Sequence, residues 1–336
     1  MFFSVAKSQL GIDIGTSTIK VVQLKKEGGK FILQTYGMVN AALSGTKMES
    51  DVIAQTAKIL RELLAKAQVT TKKAVASLPN NIVFVSAIEM PAMADKELKN
   101  AIEWEARRYV PLPLEEVTLS WSVIRESKTA ETLKVLITAV PTTVIDNYLK
   151  MFRLAGLEPE ALEIEALALI RSLAGEKRQD SFIIIDIGAR NTSVNLVDKG
   201  FLRISRNLSV GGETITSGIA QNLRVSLARA EQFKIDLGLT GELQQIPQVM
   251  RSTIDVIKNE TAQLVKIYES GGGTVVELIL AGSGSRLPGL SAYFTDLGLK
   301  VSLGDSLQFI QYDPSLKPNL TKVSLGLSVA LGLAMR

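Results

Sequence analysis

LGIDIGTSTIKVVQL, residues 10–24, is the stretch that decides the fold. Its apolar residues alternate on both sides of a Gly-Thr-Ser-Thr turn, a pattern that is typical of a β-hairpin. A second stretch, FIIIDIGARNTSVNLV at residues 182–197, repeats the pattern. Asp13 corresponds to Asp186 and Gly15 to Gly188, each pair being 173 positions apart. The same hairpin at equivalent places in two halves indicates a duplicated domain.

The turns of both hairpins suit a polyphosphate. A phosphate group needs several backbone N–H donors around one concave space, and short glycine-containing turns supply them without bulky side chains. The candidate phosphate contacts are Gly15, Thr16, Ser17, Thr18 and Lys20 in the first half and Gly188, Ala189, Arg190 and Asn191 in the second. Asp13 and Asp186 precede the two turns and are predicted to hold a hydrated Mg²⁺ through water. The alternative is a strand end with a turn-favouring aspartate in each half.

A third glycine motif follows near the end of the chain, LILAGSGSRLPGL at residues 278–290. A buried strand that ends in Gly282, Ser283 and Gly284 before a helix lets a flat purine and its ribose approach the backbone closely. The motif lacks the third glycine and the acidic residue of a dinucleotide-binding fingerprint. By itself it is weak evidence, and it gains weight from the two phosphate turns.

The remaining pattern predicts the elements around these motifs. A strand at Lys30–Val39 leads through a short connection, Asn40–Glu49, to a helix that begins at Ser50. Residues of about 86 to 154 form a strand-helix-strand-strand-helix block, and a helix is predicted at Glu160–Leu173. Three later helices are predicted at Ser226–Leu237, Ile246–Tyr268 and Val323–Arg336, the first two separated by GLTGELQQIP.

Composition excludes several chemistries. The 336 residues include no cysteine and no histidine, which rules out disulfides, Cys/His metal sites, Cys nucleophiles and Ser-His-Asp triads. Basic and acidic residues nearly balance, at 38 and 34, and no basic stripe points to nucleic acid. The apolar runs near the N-terminus are too short for a signal peptide or a membrane span. We therefore expect a cytoplasmic protein.

The order of the motifs resembles the actin, Hsp70 and sugar-kinase superfamily, in which two phosphate loops precede an adenosine loop. Within that superfamily, four further segments resemble the PilM family of type IV pilus assembly proteins. They are EWEARRYVPLP at 103–113, EIEALALIR at 163–171, GGE at 211–213 and AEQFK at 230–234. The extra block at about 86–154 also lies where FtsA and PilM relatives carry their small subdomain.

The resemblance implies an α/β, actin-like (RNase H-like) duplicated two-domain ATPase fold with a small inserted subdomain in the first domain. The implied boundaries are 1–85 with 155–180 and 305–336 for the first subdomain, and 86–154 for the inserted one. For the second half they are 181–225 with 272–304, and 226–271 for a helical small subdomain. ATP and Mg²⁺ are the implied cofactors.

Further site residues follow from the same resemblance. It implies that Gly211 and Gly212 contact the nucleotide and that Glu231 and Lys234 lie near its ribose and base. An exposed helical charge pair is the alternative for Glu231 and Lys234. Glu165 aligns with the position that orients the attacking water in actin relatives, and a carboxylate could accept a proton from that water. A solvated glutamate on a helix surface is the alternative, and any ATPase activity is expected to be weak.

PilM relatives bind the short N-terminal cytoplasmic tail of the inner-membrane protein PilN. The resemblance implies a groove around residues 83–89 and 101–110, with Trp104 and Tyr109 as apolar anchors, unless both aromatics form the core of the small subdomain. It also implies peripheral association with the inner membrane, contacts with pilus motor components, and self-association. Two alternatives stay open. One is an FtsA-like division protein, although the chain ends at AMR without a tether helix, and the other is a small-molecule kinase.

Overall fold

The computed structural model describes residues 7–41, 50–124, 132–175, 178–240 and 248–336. Most of the connection predicted at 40–49, most of the linker at 238–247 and the predicted start of a helix at residue 246 lie outside these ranges. Within the described residues the strands are β1 Lys7–Ile14, β2 Thr18–Glu27, β3 Lys30–Asn40, β4 Lys73–Leu78, β5 Phe84–Pro91, β6 Val117–Ile124, β7 Thr132–Pro141, β8 Glu158–Ile164, β9 Ser181–Ile187, β10 Thr192–Asp198, β11 Phe201–Leu208, β12 Val275–Ala281, β13 Lys300–Leu303 and β14 Ile310–Gln311. The helices there are α1 Ser50–Lys66, α2 Asp95–Tyr109, α3 Thr142–Ala155, α4 Glu165–Leu173, α5 Gly212–Leu223, α6 Leu227–Leu237, α7 Gln248–Ser270, α8 Leu290–Tyr293 and α9 Lys317–Ala334.

Two larger sheets share one topology. The first has the order β14-β3-β2-β1-β4-β8, and the second has the order β11-β10-β9-β12-β13. In each sheet, the two strands of a hairpin and a third strand pair in antiparallel order. Two further strands lie on the other side of the hairpin, parallel to its first strand. The two predicted hairpins are therefore confirmed as β1–β2 and β9–β10. Strand β11 was missing from the sequence prediction and completes the repeat.

Helices cover the sheets on both faces, so the strands can be apolar throughout. Helices α1 and α3 pack on one face of the first sheet, and α9 packs on the other. Helices α5 and α7 pack on the second sheet. Helices α4 and α9 lie between the two sheets, where Leu169 and Leu333 join a buried cluster with Phe182 of β9. This shared core connects the two halves of the chain.

The predicted extra block forms a three-stranded sheet of order β5-β7-β6 with α2 packed on it. Its last predicted helix, α3, ends at Ala155, and the residue at its C-cap is Gly156, with φ at 79°. This helix packs against α1, and its Tyr148 and Phe152 enter the core of the first sheet. The subdomain boundaries stay a prediction.

The helix predicted at Glu160–Leu173 is wrong in its first half. Residues 158–164 form β8, which pairs in parallel with β4, and α4 starts only at Glu165. Pairing with a buried neighbouring strand decides the structure here, and local apolar spacing does not show it. One helix start also differs from the prediction. Helix α9 begins at Lys317 instead of Val323.

Candidate functional site

The first predicted phosphate turn lies between β1 and β2. The Gly15 N–H donates to Thr18 O at 2.9 Å, which closes the turn. The antiparallel register sets Lys20 opposite Asp13, and Lys20 Nζ lies 2.8 Å from Asp13 Oδ2. Burial alone would lower the pKa of Lys20, but the charge of Asp13 and its hydrogen bond outweigh burial and raise it. Lys20 therefore stays charged at the base of the turn.

Asp13 is held from two sides. Ser77, near the end of the parallel neighbour β4, donates to Asp13 Oδ1 at 3.0 Å, while Lys20 binds the other oxygen. Only 3% of Asp13 is exposed. A buried carboxylate with both oxygens bonded and a cation beside it is well compensated. Asp13 is consequently a poorer candidate than Asp186 for holding a cation.

The second turn, between β9 and β10, has the same closure, since the Gly188 N–H donates to Asn191 O at 3.0 Å. Here the residue opposite Asp186 is Ser193 instead of a lysine. Among the described residues, no side chain donates a hydrogen bond to Asp186 or forms an ion pair with it. Burial raises the pKa of Asp186 to about 6. The charge of Lys20 acts in the opposite direction without direct contact. Asp186 thus presents a carboxylate without a direct side-chain partner among the described residues to the space between the turns.

Glu165 lies at the same edge of the first sheet, because β8 ends beside β4 and α4 begins at this residue. Burial raises the pKa of Glu165 well above its usual range, and the charges of Asp13 and Asp186 raise it further. A hydrogen bond from the backbone of Asn80 acts in the opposite direction. Glu165 is therefore a half-buried group that lines the cleft, and its role toward water stays a prediction.

The third glycine motif follows β12, which runs parallel to β9 and pairs Ala281 with Asp186. A Cβ on Gly282 would lie 2.3 Å from Asp186 Oδ1, and φ at this residue is 79°. A Cβ on Gly284 would lie 2.4 Å from Ile187 Cγ2. Only glycine allows the two loops to come this close. The motif is therefore in direct contact with the second phosphate turn.

Helix α5 begins against the same turn. The Gly212 N–H donates to Gly188 O at 3.0 Å, and the Glu213 N–H donates to Ala189 O at 2.8 Å. A Cβ on Gly211 would lie 2.6 Å from Ala189 O. These contacts fix the start of α5 on the second turn and explain Gly211, the first glycine of the GGE segment.

Glu231 and Lys234 of α6 are more than an exposed charge pair. Lys234 Nζ lies 2.7 Å from Glu231 Oε2 and also donates to Thr216 Oγ1 at 2.8 Å and to Gly212 O at 3.1 Å. The Lys234 side chain is only 14% exposed. The cluster joins α6 to the start of α5 at one end of the cleft.

All three motifs line one cavity of about 500 Å³ between the two halves. The predicted residues that line it are Asp13, Gly15, Thr16, Ser17, Thr18, Lys20, Glu165, Asp186, Gly188, Ala189, Asn191, Gly212, Glu231, Lys234, Gly282, Ser283 and Gly284. Of the other predicted site residues, Gly211 lies behind the lining, and Arg190 pairs with Glu213 at its edge. Binding roles for these residues stay predictions.

The cavity also contains residues that the sequence prediction missed. They are Asn80, Ser193, Glu213, Arg286, Leu287 and Pro288, among others. Asn80 lies just after β4, and Asp13 lies near the end of β1, which pairs in parallel with β4. The parallel strand order would therefore have placed Asn80 at the same sheet edge as Asp13. The Asn80 Nδ2 atom is buried and has no hydrogen-bond partner among the described residues.

The residues of the cavity fit a nucleotide with a hydrated cation. Glycines from three loops line the cavity, where short glycine-containing turns can offer backbone N–H groups, and Lys20 adds a positive charge. In the described ranges, no three acidic side chains lie close enough together to bind a metal directly. Contact with Mg²⁺ through water stays a prediction. No helix in the described part of the chain has the length and apolar character needed to span a bilayer.

The repeated sheets and the cleft between them define an actin-like ATPase fold, which confirms the predicted fold class. EutJ of Carboxydothermus hydrogenoformans superposes with a TM-score of 0.58 at 18% identity, covering 98% of this chain and 89% of that chain. MreB5 of Spiroplasma citri, solved with ADP bound, superposes with a TM-score of 0.55 at 12% identity, covering 97% and 94%. These two likenesses concern the fold alone.

The family model described as type IV pilus assembly protein PilM matches residues 11–336. The chain belongs to the PilM family of type IV pilus assembly proteins. A chain of the PilM–PilN type IV pilus biogenesis complex superposes with a TM-score of 0.87 at 28% identity, covering 98% of both chains. FtsA of Streptococcus pneumoniae is 25% identical over 254 residues, which are 68% of this chain and 55% of that protein. The chain thus spans about half the length of the curated relatives it matches.

Proposed function

We propose that this protein binds ATP and Mg²⁺ in the cleft and, depending on the nucleotide, docks the N-terminal tail of a PilN-like inner-membrane protein during type IV pilus assembly. The observation that carries the proposal is the similarity to a chain of the PilM–PilN complex over 98% of its length. In this proposal the protein works at the cytoplasmic face of the inner membrane and is held there by its partner. Contacts with motor components and self-association are further expectations.

The proposed nucleotide site uses the groups already described. The two hairpin turns would hold the phosphates through backbone N–H groups, with Lys20 as a point charge. The loop at Gly282–Gly284 would lie against the base and ribose, and Lys234 would approach them from α6. When bound, Mg²⁺ spreads the negative charge of the phosphates, and Asp186 is the carboxylate best placed to hold its waters. Glu165, when ionised, can accept a proton from water, which supports weak ATPase activity.

The proposed docking surface lies on the inserted three-stranded sheet and α2. Trp104 is 66% exposed and Tyr109 44% exposed, so the alternative that both aromatics form core is wrong. Leu112 adjoins them in sequence and is also exposed. Exposed apolar side chains that lie together mark interaction surfaces more often than single ones do. Its position within residues 101–110 supports the predicted groove for an apolar peptide segment.

A nucleotide between the two halves would fix their relative rotation. The inserted sheet belongs to the first half, and a nucleotide in the cleft would also contact the second half. The docking surface would therefore respond to the nucleotide through the short connection of β4 to β5, which is five residues long.

The test is a fluorescence titration of the protein with a synthetic peptide of the N-terminal cytoplasmic tail of the PilN-like protein. Trp104 and Trp121 are the two tryptophans of the chain. Docking should shift Trp104 emission to shorter wavelength, and ATP with Mg²⁺ should change the peptide Kd by at least about threefold. A Trp104→Phe variant, which keeps Trp121, should lose the spectral shift. Absence of peptide binding both with and without ATP and Mg²⁺ contradicts the docking proposal.

A further inference from the structure

One carboxylate connects the two phosphate turns at the mouth of the cleft. Ser17 Oγ, in the first turn, donates a hydrogen bond to Glu213 Oε1. Arg190 Nε, in the second turn, donates to Glu213 Oε2 at 2.9 Å. Glu213 is the second residue of α5 and lines the cavity. The bridge therefore joins one residue from each half of the chain through a side chain that belongs to neither turn.

The bridging group is an anion. Desolvation acts to raise the pKa of Glu213, but the hydrogen bonds from Ser17 and Arg190 outweigh it, and the pKa lies below its usual value. Its backbone position is fixed, because the Glu213 N–H donates to Ala189 O. A hydroxyl donor and a guanidinium donor that share one oxyanion are also the donors that a phosphate oxygen would use.

The bridge is easily broken. The side chains of Glu213 and Arg190 are both nearly half exposed, and an ion pair in that setting contributes little to stability. A ligand that offers a stronger oxyanion to Ser17 and Arg190 can therefore replace the carboxylate. Once displaced, Glu213 still lies at the start of α5 and repels any anion bound between the turns.

We propose that Glu213 is a specificity-determining residue that sets the preference of the cleft between nucleoside triphosphates and diphosphates. In the free protein its carboxylate occupies Ser17 and Arg190, the donors that a terminal phosphate takes over. A triphosphate displaces the carboxylate, whereas a shorter diphosphate leaves the bridge intact. Glu213 thus weakens triphosphate binding relative to diphosphate binding. The inference rests on the proposed binding of nucleotides in this cleft.

Calorimetric titration tests this with Glu213→Gln, which removes the charge and keeps the size of the side chain. The ligands are a non-hydrolysable ATP analogue and ADP, each with Mg²⁺. The variant should bind the triphosphate about three- to tenfold more tightly, with ADP affinity changing less than about twofold. Glu62→Gln, an exposed glutamate of α1 outside the cavity, is the charge-matched control and should change neither affinity.

A second variant links the gain to the bridge. In an Arg190→Gln background, Glu213→Gln should improve triphosphate affinity by less than twofold. The gain in the single variant comes from the Arg190 guanidinium that the lost carboxylate leaves free for the phosphate, and this guanidinium is absent from the background. Circular dichroism and thermal unfolding check that each variant is folded. Weaker triphosphate binding by Glu213→Gln, or equal changes for both nucleotides, overturns the proposal. If the wild-type protein binds neither nucleotide, the proposed function itself fails, and the role of Glu213 fails with it.

Discussion

Lys20 faces Asp13 across the first hairpin, with Nζ 2.8 Å from the carboxylate, and this pairing has no counterpart in the second half. The position 173 residues after Lys20 is Ser193, which lies opposite Asp186. The duplication therefore places one carboxylate with a directly bonded cation and one without it in the same cleft. The two aspartates, which the sequence presents as equivalent, should behave differently.

Removal of the Lys20 charge should destabilise the protein. Lys20→Met leaves the Asp13 carboxylate buried without its cation, so we expect the free energy of unfolding at pH 7.5 to fall by about 3 kcal/mol. Urea denaturation followed by circular dichroism measures this. Lys25→Met is the control on the same strand. Its ion pair with Glu27 is exposed, and its loss should cost less than about 1 kcal/mol. Equal losses for the two variants would contradict the proposed importance of the buried pair.

The effect of Mg²⁺ on ATP affinity should depend on the Asp186 carboxylate. We expect Asp186→Asn to remove most of the difference in ATP affinity between buffer with Mg²⁺ and buffer with EDTA. Asp13→Asn should keep that difference, because Lys20 and Ser77 already occupy the Asp13 oxygens. Calorimetry in both buffers gives the comparison. The opposite pattern, with Mg²⁺ dependence lost only in Asp13→Asn, would assign the cation to the first turn.

Asp186 should also make the nucleotide-free protein sensitive to pH. Its pKa in the folded state is raised from 3.8 to about 6, so the folded state holds the proton more tightly than the unfolded chain does. The stabilising effect of this proton is complete below about pH 4 and is lost as pH rises through 6. Asp186→Asn should therefore match the wild type near pH 4 and exceed its stability by up to about 3 kcal/mol at pH 7.5. Denaturation curves at several pH values test this, and a constant difference across the range would argue against it.

Two neighbouring glycines provide a matched pair for the start of α5. A Cβ on Gly211 would meet Ala189 O and Gly188 O at 2.6 and 2.7 Å, and both are backbone atoms of the second turn. A Cβ on Gly212 would have its nearest contact at 3.4 Å, with the flexible end of Lys234. We expect Gly211→Ala to weaken ATP binding at least about tenfold and Gly212→Ala to change it less than about threefold. Similar effects of both substitutions would show that the helix start does not support the turn.

The exposed aromatics of the inserted block should matter for the partner and little for folding. Trp104→Ala removes a side chain that is 66% exposed, so the melting temperature should change by less than about 2 °C. Affinity for the tail peptide should fall at least about tenfold, as expected for a tryptophan anchor. ATP affinity should stay the same. A large loss of thermal stability without loss of peptide affinity would place Trp104 in the structure of the subdomain instead of its docking surface.

Local pattern accounts for the parts of the fold that the sequence predicts well. Both hairpins alternate apolar and polar positions around a glycine turn, and that signal needs no distant contact. Strand β8 is different. In EPEALEIEALALI, residues 158–170, the apolar positions also fit a helix, and only pairing with β4 makes the first seven residues a strand. The end of β8 at Ile164 explains why Glu165 lies at the cleft.

The candidate site likewise has parts that the local sequence predicts and parts that depend on distant contacts. The glycine turns and their aspartates are visible in the sequence, because each is a short motif that occurs twice. The Glu213 bridge is not visible, because Ser17 lies 196 positions away from it. The difference between Asp13 and Asp186 could have been found by extending the repeat comparison to Lys20 and Ser193. Exposure of Trp104 depends on which side of α2 packs on its sheet, and the aromatic residue alone does not indicate this.

Helix α9 also constrains how the cleft can move. A Cβ on Gly11 of β1 would lie 2.0 Å from Ala330 O of this helix, and a Cβ on Gly332 would lie 1.9 Å from Ala168 O of α4. The backbone of α9 thus packs directly against the backbone of β1 on one side and of α4 on the other, without intervening side chains at these two positions. The Gly282 N–H donates to Leu325 O and connects the same helix to the third glycine loop. Helix α9 is therefore locked to β1 and α4 of the first half. Movement of the second half relative to α9 must either carry the third glycine loop with the helix or break this hydrogen bond.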